Sequence, residues 1–165
     1  MGTRSDIIVH QTDGRWKRVY CHWDGYLDHN GQILFGHYNS QKKAEALVKE
    51  GDMSSLAERC TKPAGHSFEK AVPGYCVYYG RDRGEKDVAG IVKDTLAEAW
   101  PEPDSWTEFT YVWDGAWYVG DADKGPSELK LLADALGRKV RITPNVKAFG
   151  MVIGKHTGVI DADQS

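Results

Sequence analysis

The side chains best able to do chemistry crowd into one stretch, Tyr20-Cys21-His22-Trp23-Asp24-Gly25-Tyr26-Leu27-Asp28-His29-Asn30-Gly31. Imidazole and carboxylate groups together serve metal ligation, proton transfer or hydrogen bonding to a bound molecule. For a metal, the donors on offer are His22, Asp24, Asp28, His29 and His37. No pair of them has the spacing of a known ligand signature, so no metal is expected. For proton transfer, His22 oriented by Asp24 would need a nucleophile. No serine or cysteine sits in an elbow motif, so no catalytic residue is assigned. A ligand pocket asks for less: Trp23 and Tyr26 would stack a flat group while His22, Asp24 and His29 hydrogen-bond it. The competing reading is structural, because Asp24-Gly25 and Asn30-Gly31 are turn and cap residues in their own right.

A second candidate is the charged segment Gly80-Arg81-Asp82-Arg83-Gly84-Glu85-Lys86-Asp87. Arg81 and Arg83 present planar donor forks suited to a phosphate, and the glycines permit close backbone approach. Asp82, Glu85 and Asp87 offer local neutralisation instead. The chain has no phosphate-cradling Gly-Lys-Ser/Thr loop, dinucleotide fingerprint or zincin helix, and no cofactor is expected.

The third candidate is a surface. The formal charge of -3 is unevenly spread: residues 94–128 hold nine acids and one lysine, whereas residues 138–155 hold five bases and no acid. Among those acids stand Trp100, Trp106, Trp113 and Trp117. Trp100, Asp104, Trp106, Glu108, Trp117, Asp121 and Asp123 together read as a face for a basic protein partner, one whose own groove takes nucleic acid. The blander reading is a solvated acidic face, or pairing with the basic tail. Direct binding of nucleic acid is not expected of an acidic domain.

These groups need a scaffold, and 165 residues suffice for one domain with a real core. Residues 6–10 and 16–22 predict a β-hairpin about a turn at 12–14, with Trp16, Arg18, Tyr20 and His22 on one face of the second strand. Asn30 is expected to cap a short helix, and Ser40 a second one with Ala44, Leu47 and Val48 inward and Gly51 as its stop. Ser55 with Glu58 has capping-box spacing for a helical turn over 54–60. Residues 61–74 read as a loop and 75–79 as a strand. Residues 88–99 predict one helix, with a brief strand and a shorter helix from Thr95 as the alternative. The Asp114-Gly115 turn predicts a hairpin over 108–119 in which Tyr111 faces Tyr118 and Val112 faces Trp117. Residues 126–136 read as an amphipathic helix with Leu129, Leu132, Ala133 and Leu136 inward.

The sum is an α+β fold, an antiparallel sheet built from hairpins and covered by amphipathic helices. One domain is expected over 1–137, with an extension at 138–165 carrying edge strands at 140–143 and 149–153 and a frayed end. Cys21, Cys60 and Cys76 are odd in number and lack metal-ligand spacing, which fits a reducing cytoplasm. No signal-peptide run and no membrane-length apolar stretch is present.

Four stretches also carry a resemblance: Met1-Gly2-Thr3-Arg4-Ser5, His22-Trp23-Asp24-Gly25-Tyr26-Leu27-Asp28-His29-Asn30-Gly31, Gly51-Asp52-Met53-Ser54-Ser55-Leu56 and Tyr79-Gly80-Arg81-Asp82-Arg83-Gly84-Glu85. Over about residues 1–120 the chain resembles a family of small, functionally uncharacterised bacteriophage and prophage proteins. The resemblance assigns no residue a role. It implies an accessory protein in the cytoplasm of an infected bacterium. The leading expectation is therefore a non-enzymatic inhibitor that binds a host defence or nucleic-acid-processing protein complex. A sponge for a nucleotide-type signalling molecule is the alternative, and a metal-dependent hydrolase on His22, Asp24 and His29 the second. Homo-oligomerisation is left open, and no membrane partner is expected.

Overall fold

A computed structural model of the chain describes residues 2–138. Its strands are β1 (Ser5–His10), β2 (Trp16–Cys21), β3 (Met53–Ser55), β4 (Val77–Tyr78), β5 (Ile91–Lys93), β6 (Phe109–Trp113), β7 (Trp117–Asp121) and β8 (Lys130–Leu131). They form one sheet in the order β4-β3-β2-β1-β6-β7-β8, and β5 joins the outer edge of β2 beside β3. Both predicted hairpins are present, β1 with β2 and β6 with β7, each antiparallel. They meet through a parallel pairing of β1 with β6, so the sheet is mixed within an α+β fold.

Alternation along the strands gives the sheet two unlike faces. On the first, Ile7, Val9, Val19, Cys21, Tyr111 and Trp117 are buried. Helices α1 (Gln32–His37) and α2 (Gln41–Val48) cover them with Leu34, Phe35, Ala44, Leu47 and Val48. Each of the larger aliphatic and phenylalanine side chains contributes about 1.5–3 kcal/mol on burial. Ser40 caps α2 as predicted, its hydroxyl accepting the Lys43 N–H at 3.2 Å. The second face has a smaller core of Ile8, Trp16, Val112, Tyr118 and Leu131, covered by Ala99, Trp100 and Leu129. This cover stops short of Asp6, Arg18 and Tyr20, which share that face.

Several expected elements differ. Asn30 is no helix cap: it lies inside a continuous helical segment, a π-turn at Leu27–Gly31 running into α1, with its side chain fully buried. Residues 54–60 do not form a helical turn, because Met53–Ser55 is β3. Residues 88–99 form the strand β5 followed by a short helix α4 (Leu96–Ala99), after α3 (Tyr79–Arg83) in chain order; Thr95 caps α4. A single helix is interrupted by Gly90, whose φ of +88° is left-handed. Residues 126–136 divide into a 3₁₀ turn at Pro126–Glu128, the strand β8 and the short helix α5 (Leu132–Ala135). The second hairpin has a three-residue loop, so Tyr111 faces Val119, Val112 faces Tyr118 and Trp113 faces Trp117. Asp114 is not left-handed, which a two-residue type I′ turn would demand, whereas Gly115 is, at +78°. The strands expected at 140–143 and 149–153 and the frayed end lie outside the described residues. Among the described residues no helix is long and apolar enough to cross a membrane.

Candidate functional site

Where the cover of the second face ends, a cleft of about 720 Å³ opens. Its floor is the first hairpin: Asp6 of β1 is paired with Tyr20 of β2, and Arg18 stands one alternation away. One wall carries Asp52, which precedes β3, and Asp87 and Gly90, which precede β5. The other is the segment from Pro101 to Thr107, with Glu102, Ser105 and Trp106.

The floor is polar and poorly solvated. Asp6 is 4% exposed, yet among the described residues its carboxylate accepts a single long bond, from the Thr107 hydroxyl at 3.3 Å, and the Arg18 Nε stands 3.8 Å away. Burial pushes the Asp6 carboxyl up to about 6; Arg18 and Thr107 oppose the shift and the Asp52 charge adds to it. Arg18 is drawn aside by its bond from Nη1 to the Ala99 carbonyl, 2.8 Å. Asp52 accepts the Tyr20 N–H at 2.9 Å, substituting for a strand where neither β3 nor β5 has begun; burial raises its carboxyl too.

At the mouth stands Trp106, 79% exposed, with the Arg4 guanidinium over its ring at 5.9 Å. Burial raises the Tyr20 phenol, and the nearby Arg4 charge opposes that shift. The Tyr20 hydroxyl and His22 Nδ1 share a hydrogen bond of 2.7 Å. The Ser105 hydroxyl, in the same wall, is buried and has no hydrogen-bond partner among the described residues. Two glycines hold the rim closed: a Cβ on Gly90 would lie 2.6 Å from the Arg18 carbonyl oxygen, and one on Gly51 2.2 Å from that of Val88. The cleft thus offers an aromatic plate, two guanidinium groups and two desolvated carboxylates, the parts that hold a flat polar molecule bearing a charged group.

The residues predicted from sequence fall elsewhere, except Trp106. His22 is tied to Tyr20 and meets the Trp23 ring edge-on at 4.7 Å. His29 Nδ1 donates to the Asn30 amide oxygen at 2.9 Å, and the Asn30 amide nitrogen reaches Ser5 Oγ and the Trp23 carbonyl. Asp24 takes a left-handed φ of +58° and its carbonyl accepts the Asn30 N–H. Trp23 and Tyr26 are 43% and 42% exposed and line no cavity that Asp6 shares. The stretch therefore works as a junction knotting β2 to α1. Among the described residues, no three His, Cys, Asp or Glu side chains gather closely enough for a metal ion.

Arg81 and Arg83 are engaged internally. Arg81 forks onto the Asp82 carboxylate at 2.8 and 3.0 Å, donates to the Cys60 and Cys76 carbonyls and lies over Tyr78. Arg83 pairs with Glu85 and stacks on Phe68 at 4.1 Å. Of the acidic aromatic set, Trp100 and Trp117 are core residues whose indoles donate to the Ala122 and Tyr38 carbonyls. Asp104, Trp106, Glu108, Asp121 and Asp123 are exposed, and Asp121 pairs with Lys124 at 3.3 Å.

Comparison of the chain with protein-family models, with curated proteins and with solved structures gives no match.

Sequence reasoning passed over Arg4, Asp6, Arg18, Tyr20 and Asp52 as a group. One signal was available: Asp6 opens a run of β-branched residues, and Arg18, Tyr20 and His22 alternate onto one face of the next strand. An acid and an arginine on the same side of a buried hairpin mark a polar patch inside a sheet.

Proposed function

We propose that this chain is a non-enzymatic binding protein that sequesters a nucleotide-type small molecule in the cleft between the first hairpin and the segment Pro101 to Thr107. The observation that carries the reading is Asp6, a buried carboxylate whose hydrogen-bonding capacity is largely unmet among the described residues, in a cleft that an exposed tryptophan and two arginines also line. A nucleotide supplies a flat ring for Trp106, polar edges for the floor and an anion for Arg4 and Arg18. The cleft volume falls within the range of small-molecule sites, about 300–1,000 Å³. The resemblance to small phage proteins supplies a context, removal of a signalling nucleotide in an infected cell. Native mass spectrometry of the purified chain, with melting curves in a panel of nucleoside 5′-monophosphates, tests it. A bound nucleotide mass or a clear rise in melting temperature is expected; a bare-chain mass with no rise for any of them would refute the reading.

One observation favours a second reading. Trp106 projects between exposed Asp104 and Glu108, an arrangement suited to docking on a basic host protein. Neutralising Asp104, Glu108, Asp121 and Asp123 would then weaken partner capture from host lysate, and unchanged capture would remove this surface from consideration.

A further inference from the structure

Resting on the cleft reading above, we infer that the base recognised there is guanine, held through its adjacent N–H donors by the Asp6 carboxylate.

Donor and acceptor counting leads to this choice. An ionised carboxylate accepts about four hydrogen bonds and donates none. Among the described residues Asp6 has one, at 3.3 Å from Thr107, and the nearest cation, Arg18, stands 3.8 Å off, beyond hydrogen-bond reach. Asp52 commits one oxygen to the Tyr20 N–H. The floor of the cleft is therefore short of donors. Guanine presents an imino N–H beside an amino N–H₂ on one edge, a pair that meets a carboxylate in the fork geometry arginine uses. Adenine and cytosine set a ring-nitrogen acceptor beside their amino group, and uracil flanks its single N–H with two carbonyl oxygens. Each would turn at least one lone pair toward the carboxylate. A guanidinium from a basic partner shares guanine's donor pair and is the competing ligand for a cleft whose lining sets Asp6, Asp52, Asp87 and Glu102 against Arg4 and Arg18. It lacks the anion for Arg4 and the wide flat ring for Trp106 that a guanine nucleotide supplies. Trp106 at the mouth provides a stacking face, and Arg4 beside it is placed for the phosphate.

Calorimetric titration of the full chain at pH 7.5 with GMP, IMP and AMP tests the inference on unmodified protein. GMP is expected to bind best, and IMP, which lacks only the amino group, about tenfold or more weaker because one charge-assisted bond is lost. AMP is expected to be weaker still. Asp6→Asn, verified as folded by its melting curve, should bring GMP and AMP within a few-fold of each other. GMP and AMP binding alike to the unmodified chain would overturn the guanine assignment while leaving a nucleotide site. Agmatine binding as tightly as GMP would overturn it in favour of a basic side chain. Binding of none of the three nucleotides would overturn both this inference and the nucleotide reading beneath it.

Discussion

Asp6 and Arg18 project from neighbouring strands onto one face of the sheet, carboxylate and guanidinium 3.8 Å apart, because Arg18 is held by the Ala99 carbonyl instead. The loose pairing with Arg18 does not offset burial, and the Asp6 carboxyl rises to about 6. A group whose folded value lies above its unfolded one binds protons preferentially in the folded state. Its contribution is full below the ordinary carboxyl value of 3.8 and is lost as pH rises through about 6. The unliganded chain should therefore gain stability from this group between pH 7.5 and pH 5. Asp6→Asn should remove that gain and be more stable than wild type at pH 7.5, by about 1–3 kcal/mol. Urea unfolding of both at the two pH values checks this; parallel pH dependences would count against it.

The loop at 61–74 depends on one carboxylate. Asp82 accepts from Arg81 and from the Tyr78 N–H, and it receives His66 Nε2–H at 3.3 Å, since the Val72 N–H occupies Nδ1. Asp82→Ala leaves Arg81 unpaired and should cost about 3–5 kcal/mol. His66→Ala, which leaves the Arg81 fork intact, should cost about 1–3 kcal/mol. Limited proteolysis should first cut both variants within 61–74; cleavage elsewhere first would argue against this anchoring role.

Gly51 and Gly14 separate backbone strain from collision. Both are left-handed, at +87° and +89°, but a Cβ at Gly14 meets nothing within 4 Å while one at Gly51 lies 2.2 Å from the Val88 oxygen. Gly14→Ala should cost about 1 kcal/mol and Gly51→Ala clearly more. Equal losses in thermal unfolding would show that the rim beside Asp52 yields more readily than its packing implies.

Local patterns made the two hairpins and the cap at Ser40 legible, because alternation, turn residues and capping chemistry act over a few positions. Three segments that read first as helical share one cause, although for residues 88–99 the alternative, a brief strand and a shorter helix from Thr95, is the one observed. Met53–Ser55 and Ile91–Lys93 pair with the outer edge of β2, and Lys130–Leu131 with the outer edge of β7. Each carries a helix-compatible pattern, and each is drawn into a strand by an open edge far away in the chain, which periodicity does not register. The cleft was hidden for the same reason. Asp6, Arg18, Asp52 and Thr107 come from four separate segments and meet only once those edges are filled. Polar crowding at 20–31 was visible because it is contiguous, and it resolves into turn geometry and a buried Asn30.

The most direct test of the account is the indole N–H region of a ¹⁵N-labelled spectrum recorded while GMP is added, with Trp106→Phe and Trp23→Phe used to assign the two most exposed tryptophans. A ligand held in the cleft should shift the Trp106 resonance and leave that of Trp23, in the 20–31 junction, unmoved. A shifted Trp23 with Trp106 unmoved would place binding at the histidine-rich stretch and contradict the account; so would a spectrum that saturating GMP leaves unchanged.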